Sequence, residues 1–233
     1  MPSVAKRNST EIQISVLAFQ PPSVAAHIFV EGYMLIQVIS DIHGSAADLR
    51  TALHSFAGCE ADVLLLCGDF LNHGPRNDLP VGYDTKATAV LLNECKEKII
   101  CVRGNCDSEV DQMMLEFPCL NAYTTLFFPP ARMKSGSANG FVPNGRIFVH
   151  HGHLYDRAAL QKLLPAGTIV VSGHTHETVL EEEGGLFYLN PGSISIPKCA
   201  DGKTCALIDT DDEGIRKISL YNIDGKILRA VEF

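Results

Sequence analysis

The sequence lacks several features that would identify common classes of protein. It has no tryptophan, no pair of cysteines spaced as C-x-x-C and no basic run. Without a C-x-x-C pair, zinc-ribbon and thioredoxin-like sites are excluded. No apolar run reaches the ~18 residues that a membrane-spanning helix needs, so we expect no membrane span. The formal net charge of −8 and the 7% aromatic content argue against binding to long nucleic acid or to anionic lipid. A small basic pocket remains compatible with this composition.

The composition is that of a globular chain with a substantial core. Hydrophobic residues make up 46% of the 233 residues and charged residues 20%, which predicts one domain or two. Five of the eight cysteines lie in or beside apolar stretches, as expected for small buried residues in a reducing compartment, so we predict a cytoplasmic location.

The first 33 residues differ from the rest of the chain. Their apolar stretch is interrupted by Pro21 and Pro22, which is compatible with a cleaved signal peptide but more typical of an extension. We predict that residues 1–33 form an N-terminal extension, disordered, peripheral or artefactual, and that the domain comprises residues 34–233.

The first half of the domain alternates between strand and helix patterns. Buried strands are predicted over 35–40, 62–69 and 99–104, and helices over 45–58, 85–98 and 108–117. This order predicts parallel strands with helices on the faces of the sheet. The intervening loop, 70–84, is rich in Gly, Pro and Asn and long enough to suggest a functional role.

After residue 120, short strand patterns follow one another, with one helix predicted over 156–164. The strands are predicted over 122–128, 146–151, 168–174, 177–183, 186–190, 203–209, 216–223 and 226–233. Gly-Gly at 184–185 and Asp-Gly at 224–225 predict hairpin turns, and 129–144 an exposed loop. Together the patterns predict a single α/β domain with two packed sheets.

Polar side chains that can bind metal ions follow five of the predicted strands. They are Asp41 and His43, then Asp69, then Asn105, then His150, His151 and His153, and finally His174 and His176. Ligands of open α/β sheets bind beyond the carboxyl ends of the strands, and residues two apart in an extended segment point the same way. A lone D-x-H is usually a surface turn and a lone histidine usually a packed core residue, but all five groups together predict a metal site. The ligand types suit Mn, Fe, Zn or Ni without choosing between them.

The order D-x-H, GD, GN-x-D, GH and GH-x-H resembles that of the calcineurin-like metallophosphoesterases. The closer resemblance is to the YfcE-like bacterial phosphodiesterases, over residues 34–210. It rests on the stretches SDIHGS, GDFLNHGPRNDLPVGY, VRGNCDSEVDQM, HHGHL, SGHTH and NPGSISIPK. The resemblance implies an α/β fold of two packed mixed β-sheets flanked by helices, an αββα sandwich.

The resemblance also implies two divalent transition-metal ions, with Mn the leading candidate and Fe, Zn or Ni the others. One ion would be held by Asp41, His43 and His176, the other by Asn105, His151 and His174, with Asp69 bridging them. His151 matches the family ligand better than His150 because it immediately precedes Gly152. The implied reaction is hydrolysis of a small phosphodiester by a hydroxide that bridges the ions.

Residues around these ligands are candidates for contact with the substrate. Arg103 could stabilise charge on the phosphoryl oxygens, or pair with a nearby acid. Asn72, His73 and Arg76 could bind a substrate phosphate, or belong to a loop that packs on itself or forms an interface. His153 could contact substrate or solvent.

Cys106 departs from the commoner family pattern. Many family members have a histidine here that helps to protonate the leaving alkoxide. A thiol, with an ordinary pKa of ~8.5, is a poor substitute, so we expect Cys106 to have a weak role and to be neither nucleophile nor metal ligand. Redox sensitivity of the site is the alternative.

Three competing functions remain open. The same site could hydrolyse phosphomonoesters, the chain could be a metal-binding scaffold, since some superfamily members are reported as assembly components, or it could act on long polynucleotides, which its charge disfavours. The C-terminal strands could form a homo-oligomer edge or complete the second sheet.

Overall fold

The computed structural model describes residues 27–29, 33–55, 61–130 and 140–233. Its helices are α1 Ala46–Ser55, α2 Thr85–Glu94, α3 Glu109–Met114 and α4 Arg157–Leu163, with a 3₁₀ turn over Lys96–Lys98. Its strands are β1 His27–Phe29, β2 Met34–Ile39, β3 Val63–Leu66, β4 Ile99–Cys101, β5 Tyr123–Phe127, β6 Arg146–His150, β7 Ile169–Val171, β8 Thr178–Glu183, β9 Leu186–Pro191, β10 Thr204–Asp211, β11 Gly214–Asn222 and β12 Ile227–Glu232. No helix among the described residues is long and apolar enough to cross a bilayer.

The strands form two six-stranded mixed sheets. The first has the order β12-β11-β10-β2-β3-β4, with β2, β3 and β4 parallel. The second has the order β1-β5-β6-β7-β9-β8, with β6, β7 and β9 parallel. The parallel strands within each sheet therefore end at a common edge, which is where the sequence places its polar groups.

Three apolar layers confirm the predicted αββα sandwich. The largest lies between the sheets and includes Ile36, Leu65 and Phe187. A second layer packs α1 and α2 against the outer face of the first sheet, and a smaller one packs α4 against the outer face of the second. The inward residues of β2 alternate with outward residues such as Ile39, and all six residues are buried because both faces of the sheet are covered.

The helices begin at the residues that their sequences favour. The side chains of Asp84 and Asp156 accept hydrogen bonds from the backbone at the starts of α2 and α4. Ser108 and Asp111 form a capping box at the start of α3. Oγ of Ser45, which precedes α1, accepts a hydrogen bond from the backbone N–H of Asp48 at 3.3 Å.

The predicted strands are longer than the observed ones at the ends that carry polar groups. The strand predicted over 62–69 ends at Leu66, and the one predicted over 99–104 ends at Cys101. In both cases the chain leaves the sheet to place a polar residue beyond its edge. The two-residue hairpin at Gly184 and Gly185 is confirmed, with Glu183 paired to Leu186.

The described part of the first 33 residues includes an edge strand. β1 pairs in parallel with β5 at the margin of the second sheet. Residues 1–26 and 30–32 lie outside the described residues, as do residues 131–139 of the predicted loop. The domain boundary at residue 34 stays a prediction.

Candidate metal centre

The backbone at the edge of the two sheets is held in an unusual conformation. Asp41, His43, Asp69, His174 and His176 have φ values of +53°, +47°, +56°, +72° and +61°. Residues other than glycine rarely occupy this left-handed region, at a cost of about 1–3 kcal/mol each, and they cluster at functional sites. The rest of the fold therefore holds these five side chains in place against a local energetic preference.

One group of ligands combines residues from both sheets. The Nε2 atoms of His43 and His176 are 3.2 Å apart. Oδ1 of Asp41 lies 3.2 Å from Nε2 of His176 and 3.7 Å from Nε2 of His43. That oxygen is buried and has no hydrogen-bond partner among the described residues. Buried carboxylate oxygens normally have one, and Asp41, His43 and His176 together could hold a metal ion.

A second group lies beside the first. Nε2 of His151 is 3.0 Å from Oδ1 of Asn105 and 3.5 Å from Oδ2 of Asp69. The rings of His151 and His174 are 5.1 Å apart. Oδ2 of Asp69 is also 3.6 Å from Nε2 of His43, so Asp69 lies between the two groups.

Backbone carbonyl groups fix the orientation of three of the histidines. Nδ1 of His43, His151 and His176 each donates to a carbonyl oxygen; the acceptors are Asn72 at 2.7 Å, Cys67 at 2.6 Å and Ile196 at 2.8 Å. A carbonyl oxygen can only accept, so in the neutral rings Nδ1 carries the proton and the Nε2 lone pair points into the centre. This arrangement is typical of histidines that bind metal ions.

The electrostatics of the centre favour a bound cation. Burial would lower the pKa of His151, but the hydrogen bond and charge of Asp69 outweigh it and raise the pKa to about 9. Burial would raise the pKa of Asp41, but its contacts with His176 and His43 bring it below the ordinary value. The negative charge of Asp41 and Asp69 thus favours a positive charge at the centre, and their carboxylates together with the imidazole Nε2 atoms form a donor set that fits divalent transition-metal ions.

Asp107 positions the loops that carry Asp69 and Asn105. Its buried carboxylate accepts backbone N–H groups from Asp69 at 2.8 Å, Phe70 at 2.8 Å and Gly104 at 2.6 Å. A Cβ at Gly104 would lie 2.1 Å from Oδ1 of Asp69, so only glycine allows this approach. Asp107 is the aspartate of the GN-x-D pattern, and this place in the pattern is the only sequence signal for its role in holding the two loops.

Residues 190–195, the NPGSIS block, lie directly beneath Asp41. The hydroxyls of Ser193 and Ser195 donate to the carbonyl oxygen of Asp41 at 2.8 and 3.0 Å. Nδ2 of Asn190 donates to the carbonyl oxygen of Gly173 at 2.8 Å. These bonds support both strand-end turns that lead into the centre.

A cleft of about 750 Å³ opens over the centre. Its walls include Asn72, Arg76 and Cys106 from the predicted candidates, together with Asn105. Lys198, which follows the NPGSIS block, also lines the cleft and was not predicted. Lys198 ends the stretch NPGSISIPK, but a lysine in a loop does not by itself indicate a site residue, and the fold brings it to the cleft.

The other predicted substrate contacts lie outside the residues that line this cleft. His73 packs edge-on against Tyr83, with ring centres 5.4 Å apart. Arg103 donates to the carbonyl oxygen of Asp107 at 3.1 Å and lies 3.6 Å from Glu109. The exposed ring of His153 is 5.3 Å from that of His151. Roles in substrate binding or catalysis for His73, Arg103 and His153 stay predictions.

Cys106 is a half-buried free thiol that lies beside the loop that follows β3. Its backbone N–H donates to Oδ1 of Asp69 at 2.8 Å, and its sulfur is 3.2 Å from Nδ2 of Asn105. Burial, followed by the charge of Asp69, raises the pKa of Cys106 to about 12. A Cβ at Gly74 would lie 2.8 Å from this sulfur, so the loop is closed tightly over it.

The two-sheet fold and the grouping of Asp, Asn and His side chains at the strand ends are those of a metallophosphoesterase. The sequence profile of the Calcineurin-like phosphoesterase superfamily domain matches residues 34–213, and the chain belongs to that family. Phosphodiesterase YfcE of Escherichia coli strain K12 is 41% identical over 178 residues, which cover 76% of this chain and 89% of the relative.

Solved structures show the same relationship. The YfcE phosphoesterase from E. coli superimposes with a TM-score of 0.69 at 37% identity, covering 85% of this chain and 99% of that one. Wild-type Vps29 of Entamoeba histolytica, solved in complex with zinc, gives a TM-score of 0.50 at 25% identity, covering 85% and 99%.

Proposed function

We propose that the protein is a metal-dependent phosphodiesterase that hydrolyses small phosphodiesters at a dinuclear centre. The observation that carries this proposal is the juxtaposition of two ligand groups with Asp69 between them, Oδ2 lying 3.6 Å from Nε2 of His43 and 3.5 Å from Nε2 of His151. The similarity to YfcE, a curated phosphodiesterase, supports the choice of substrate class.

The residues divide into two sets that would each hold one ion. Asp41, His43 and His176 form one set, and Asn105, His151 and His174 the other, with Asp69 shared. Bound divalent ions would supply a bridging hydroxide as nucleophile near neutral pH and would neutralise charge on the phosphoryl oxygens. We favour manganese, with iron, zinc and nickel compatible with the same imidazole and carboxylate ligands.

The protein's own groups orient these ligands and receive the substrate. The carbonyl acceptors hold three imidazoles with Nε2 inward. Asp107 fixes the two turns that present Asp69 and Asn105. The cleft that Asn72 and Arg76 help to line would receive the diester. Because Cys106 stands where the commoner family pattern has a histidine, no imidazole protonates the leaving group from this position, which favours acidic leaving groups.

The cysteines support the proposed cytoplasmic location. Seven cysteines, among them Cys67, Cys101 and Cys119, are free thiols. Disulfides form and persist in oxidising compartments and are rare in the cytosol.

The test is hydrolysis of bis-p-nitrophenyl phosphate and p-nitrophenyl phosphate by metal-stripped protein, before and after addition of Mn²⁺. We expect turnover of the diester only with metal, a lower rate on the monoester, and loss of turnover in Asp69→Asn. Faster turnover of the monoester would assign the site to phosphomonoesters. Stoichiometric metal binding by folded protein without any turnover would favour a scaffold.

A further inference from the structure

Two cations from different loops line the cleft beside the metal centre. Arg76 belongs to the loop 70–84 that follows β3, and Lys198 to the segment that follows β9. The backbone N–H of Lys198 donates to the carbonyl oxygen of His176 at 3.0 Å, which ties this segment to the ligand turn. Both side chains are exposed.

Neither cation is neutralised by the protein. Within the part of the chain that the structure describes, neither Arg76 nor Lys198 forms an ion pair, whereas Lys96, Arg157 and Lys203 do. In the same described part, Arg50 and Lys162 also lack an ion pair, but they do not line the cleft. Acids outnumber cations by 27 to 19 in the sequence, so acidic partners are plentiful. Among the described residues that line the cleft, the only acid is Asp69, which belongs to the centre.

The single negative charge of a simple phosphodiester is smaller than the positive charge expected in this cleft once metal ions are bound. In the proposed function, on which this argument rests, two divalent ions face the carboxylates of Asp41 and Asp69 and one hydroxide, leaving one positive charge. A phosphodiester carries one negative charge and neutralises it. The positive charges of Arg76 and Lys198 would then remain unmatched. Clefts of one sign attract ligands of the opposite sign, so a second anionic group is expected beside them.

We propose that the cleft selects phosphodiesters that carry a second phosphate group, which Arg76 and Lys198 bind while the diester lies at the metal centre. The volume of about 750 Å³ is within the range of pockets that enclose ligands of drug size, and leaves room for more than one phosphate. The guanidinium of arginine can donate two parallel hydrogen bonds to one phosphate, whereas lysine acts as a point charge. The neutral side chains of Asn77 and Thr175 in the same walls can add hydrogen bonds.

The kinetic test compares two diesters that differ only in the second phosphate. These are thymidine 5′-(p-nitrophenyl phosphate) and the same compound with a 3′-phosphate, assayed with the metal-loaded protein at fixed ionic strength. We expect kcat/KM to be about 100-fold higher for the second compound, mainly through KM. Each of Arg76→Gln and Lys198→Gln should lower that preference by about tenfold, the effect of losing one charge-assisted hydrogen bond, and the double variant should abolish it.

A binding measurement gives a readout independent of turnover. Isothermal titration of the metal-loaded protein with thymidine 3′,5′-bisphosphate and with thymidine 5′-monophosphate should show the same preference and the same losses. Arg50→Gln on α1 and Lys162→Gln on α4 are matched controls, since both cations are exposed and neither lines the cleft. They should retain the full preference, with metal content and circular dichroism unchanged in every variant.

Two results would overturn the inference. One is equal kcat/KM for the two diesters in the wild-type protein. The other is an equal loss on both diesters in Arg76→Gln and Lys198→Gln, which would assign these cations to the reacting phosphate. If neither diester is hydrolysed, the result would contradict the proposed function instead. The titrations would still decide whether a second phosphate is bound.

Discussion

Cys106 lies next to Asn105, where the commoner family pattern has a histidine, and its thiol lines the cleft near His43 and Asp69. Its sulfur contacts Asn105 and faces Gly74, and its pKa is raised by burial and by Asp69. A neutral thiol is a weak acid, so its contribution to proton transfer should be small.

We therefore predict that Cys106→Ala lowers kcat on bis-p-nitrophenyl phosphate by less than about tenfold. Cys106→His should instead change the ratio of rates between diesters with acidic and with poor leaving groups, because an imidazole can protonate an alkoxide. Rates on a series of aryl and alkyl diesters measure both effects. A loss above ~10³-fold in Cys106→Ala, with metal content intact, would show that the thiol takes part in the chemistry.

Asp107 is a second single residue on which the site depends, because it holds the backbone of the two loops that carry Asp69 and Asn105. An amide in its place has one acceptor oxygen and two donor hydrogens, so Asp107→Asn would face N–H groups of Asp69 and Gly104 with a donor. We predict a loss of metal affinity of about 10–100-fold, as for other groups that orient ligands. Asp62→Asn is the control, since Asp62 also accepts a backbone N–H, from Leu35 at 2.9 Å, but at the far end of β2. Equal affinity losses in the two variants, measured by titration with Mn²⁺, would argue against a specific role.

The pKa of His151 predicts how metal binding depends on pH. In the metal-free chain the folded-state pKa is raised to about 9, above the ordinary value of 6.5, so folding takes up a proton between these values. The stability that this proton contributes is fully present below pH 6.5 and is lost as pH rises through 9.

A metal ion needs the deprotonated ring, so affinity should rise between pH 6.5 and 9 and binding should release protons. Titration calorimetry in buffers of different ionisation enthalpy measures the protons released. An affinity that is constant over this interval would contradict the assignment of His151 as a ligand.

The loop 70–84 is the element that most clearly links fold and substrate. It places Asn72 and Arg76 in the cleft, whereas His73 packs against Tyr83 within the loop itself. The contact of His73 with Tyr83 fits the self-packing interpretation, whereas substrate contact by Asn72 and Arg76 stays a prediction. Gly74 makes the closure over Cys106 possible because it has a φ of +76° and no side chain.

Gly74→Ala should displace this loop. The new Cβ would meet the sulfur of Cys106 at 2.8 Å, and alanine is strained at this φ. We predict a fall in kcat/KM of about tenfold, chiefly through KM, and partial recovery in the double variant with Cys106→Ala, since the clash but not the strain is relieved. Additive effects of the two substitutions would show that the contact between loop and thiol is unimportant.

The order of elements was predictable from the sequence, but their ends were less so. Hydrophobic periodicity predicted β2 and β3 because apolar neighbours cover both faces of these strands. It predicted α2 because apolar neighbours cover one stripe of this helix. It could not show that β3 ends at Leu66, because Cys67 is as apolar and as buried as the strand before it. The left-handed backbone at Asp41 and His176 was also not predictable from the residue types, because aspartate and histidine do not require this conformation.

At the scale of the whole molecule, the site exists because two sheets pack face to face. The first sheet presents Asp41, Asp69 and Asn105, and the second presents His151 and His176. The ligand types followed from the sequence and its family pattern. Lys198 did not, because no periodicity links residue 198 to the strand ends that it borders.

Metal removal should therefore weaken the molecule without unfolding it. The core between the sheets is apolar and needs no ion, but the buried carboxylates of Asp41 and Asp69 lose their counter-charge. At a metal concentration of 100 Kd, binding should stabilise the fold by about 2.7 kcal/mol and raise Tm by roughly 5–10 °C. Thermal melts with chelator and with Mn²⁺ measure the shift, and an unchanged Tm would contradict a metal site inside the folded domain.

The most direct test of the dinuclear phosphodiesterase is a metal titration followed by two readouts on the same samples. Metal-stripped protein is loaded with increasing Mn²⁺, and bound metal and hydrolysis of bis-p-nitrophenyl phosphate are measured at each step. We predict two ions bound per chain, with turnover that rises as the second ion binds and that is absent in Asp69→Asn. Two bound ions without diester hydrolysis, or full hydrolysis by the metal-stripped protein, would contradict the account.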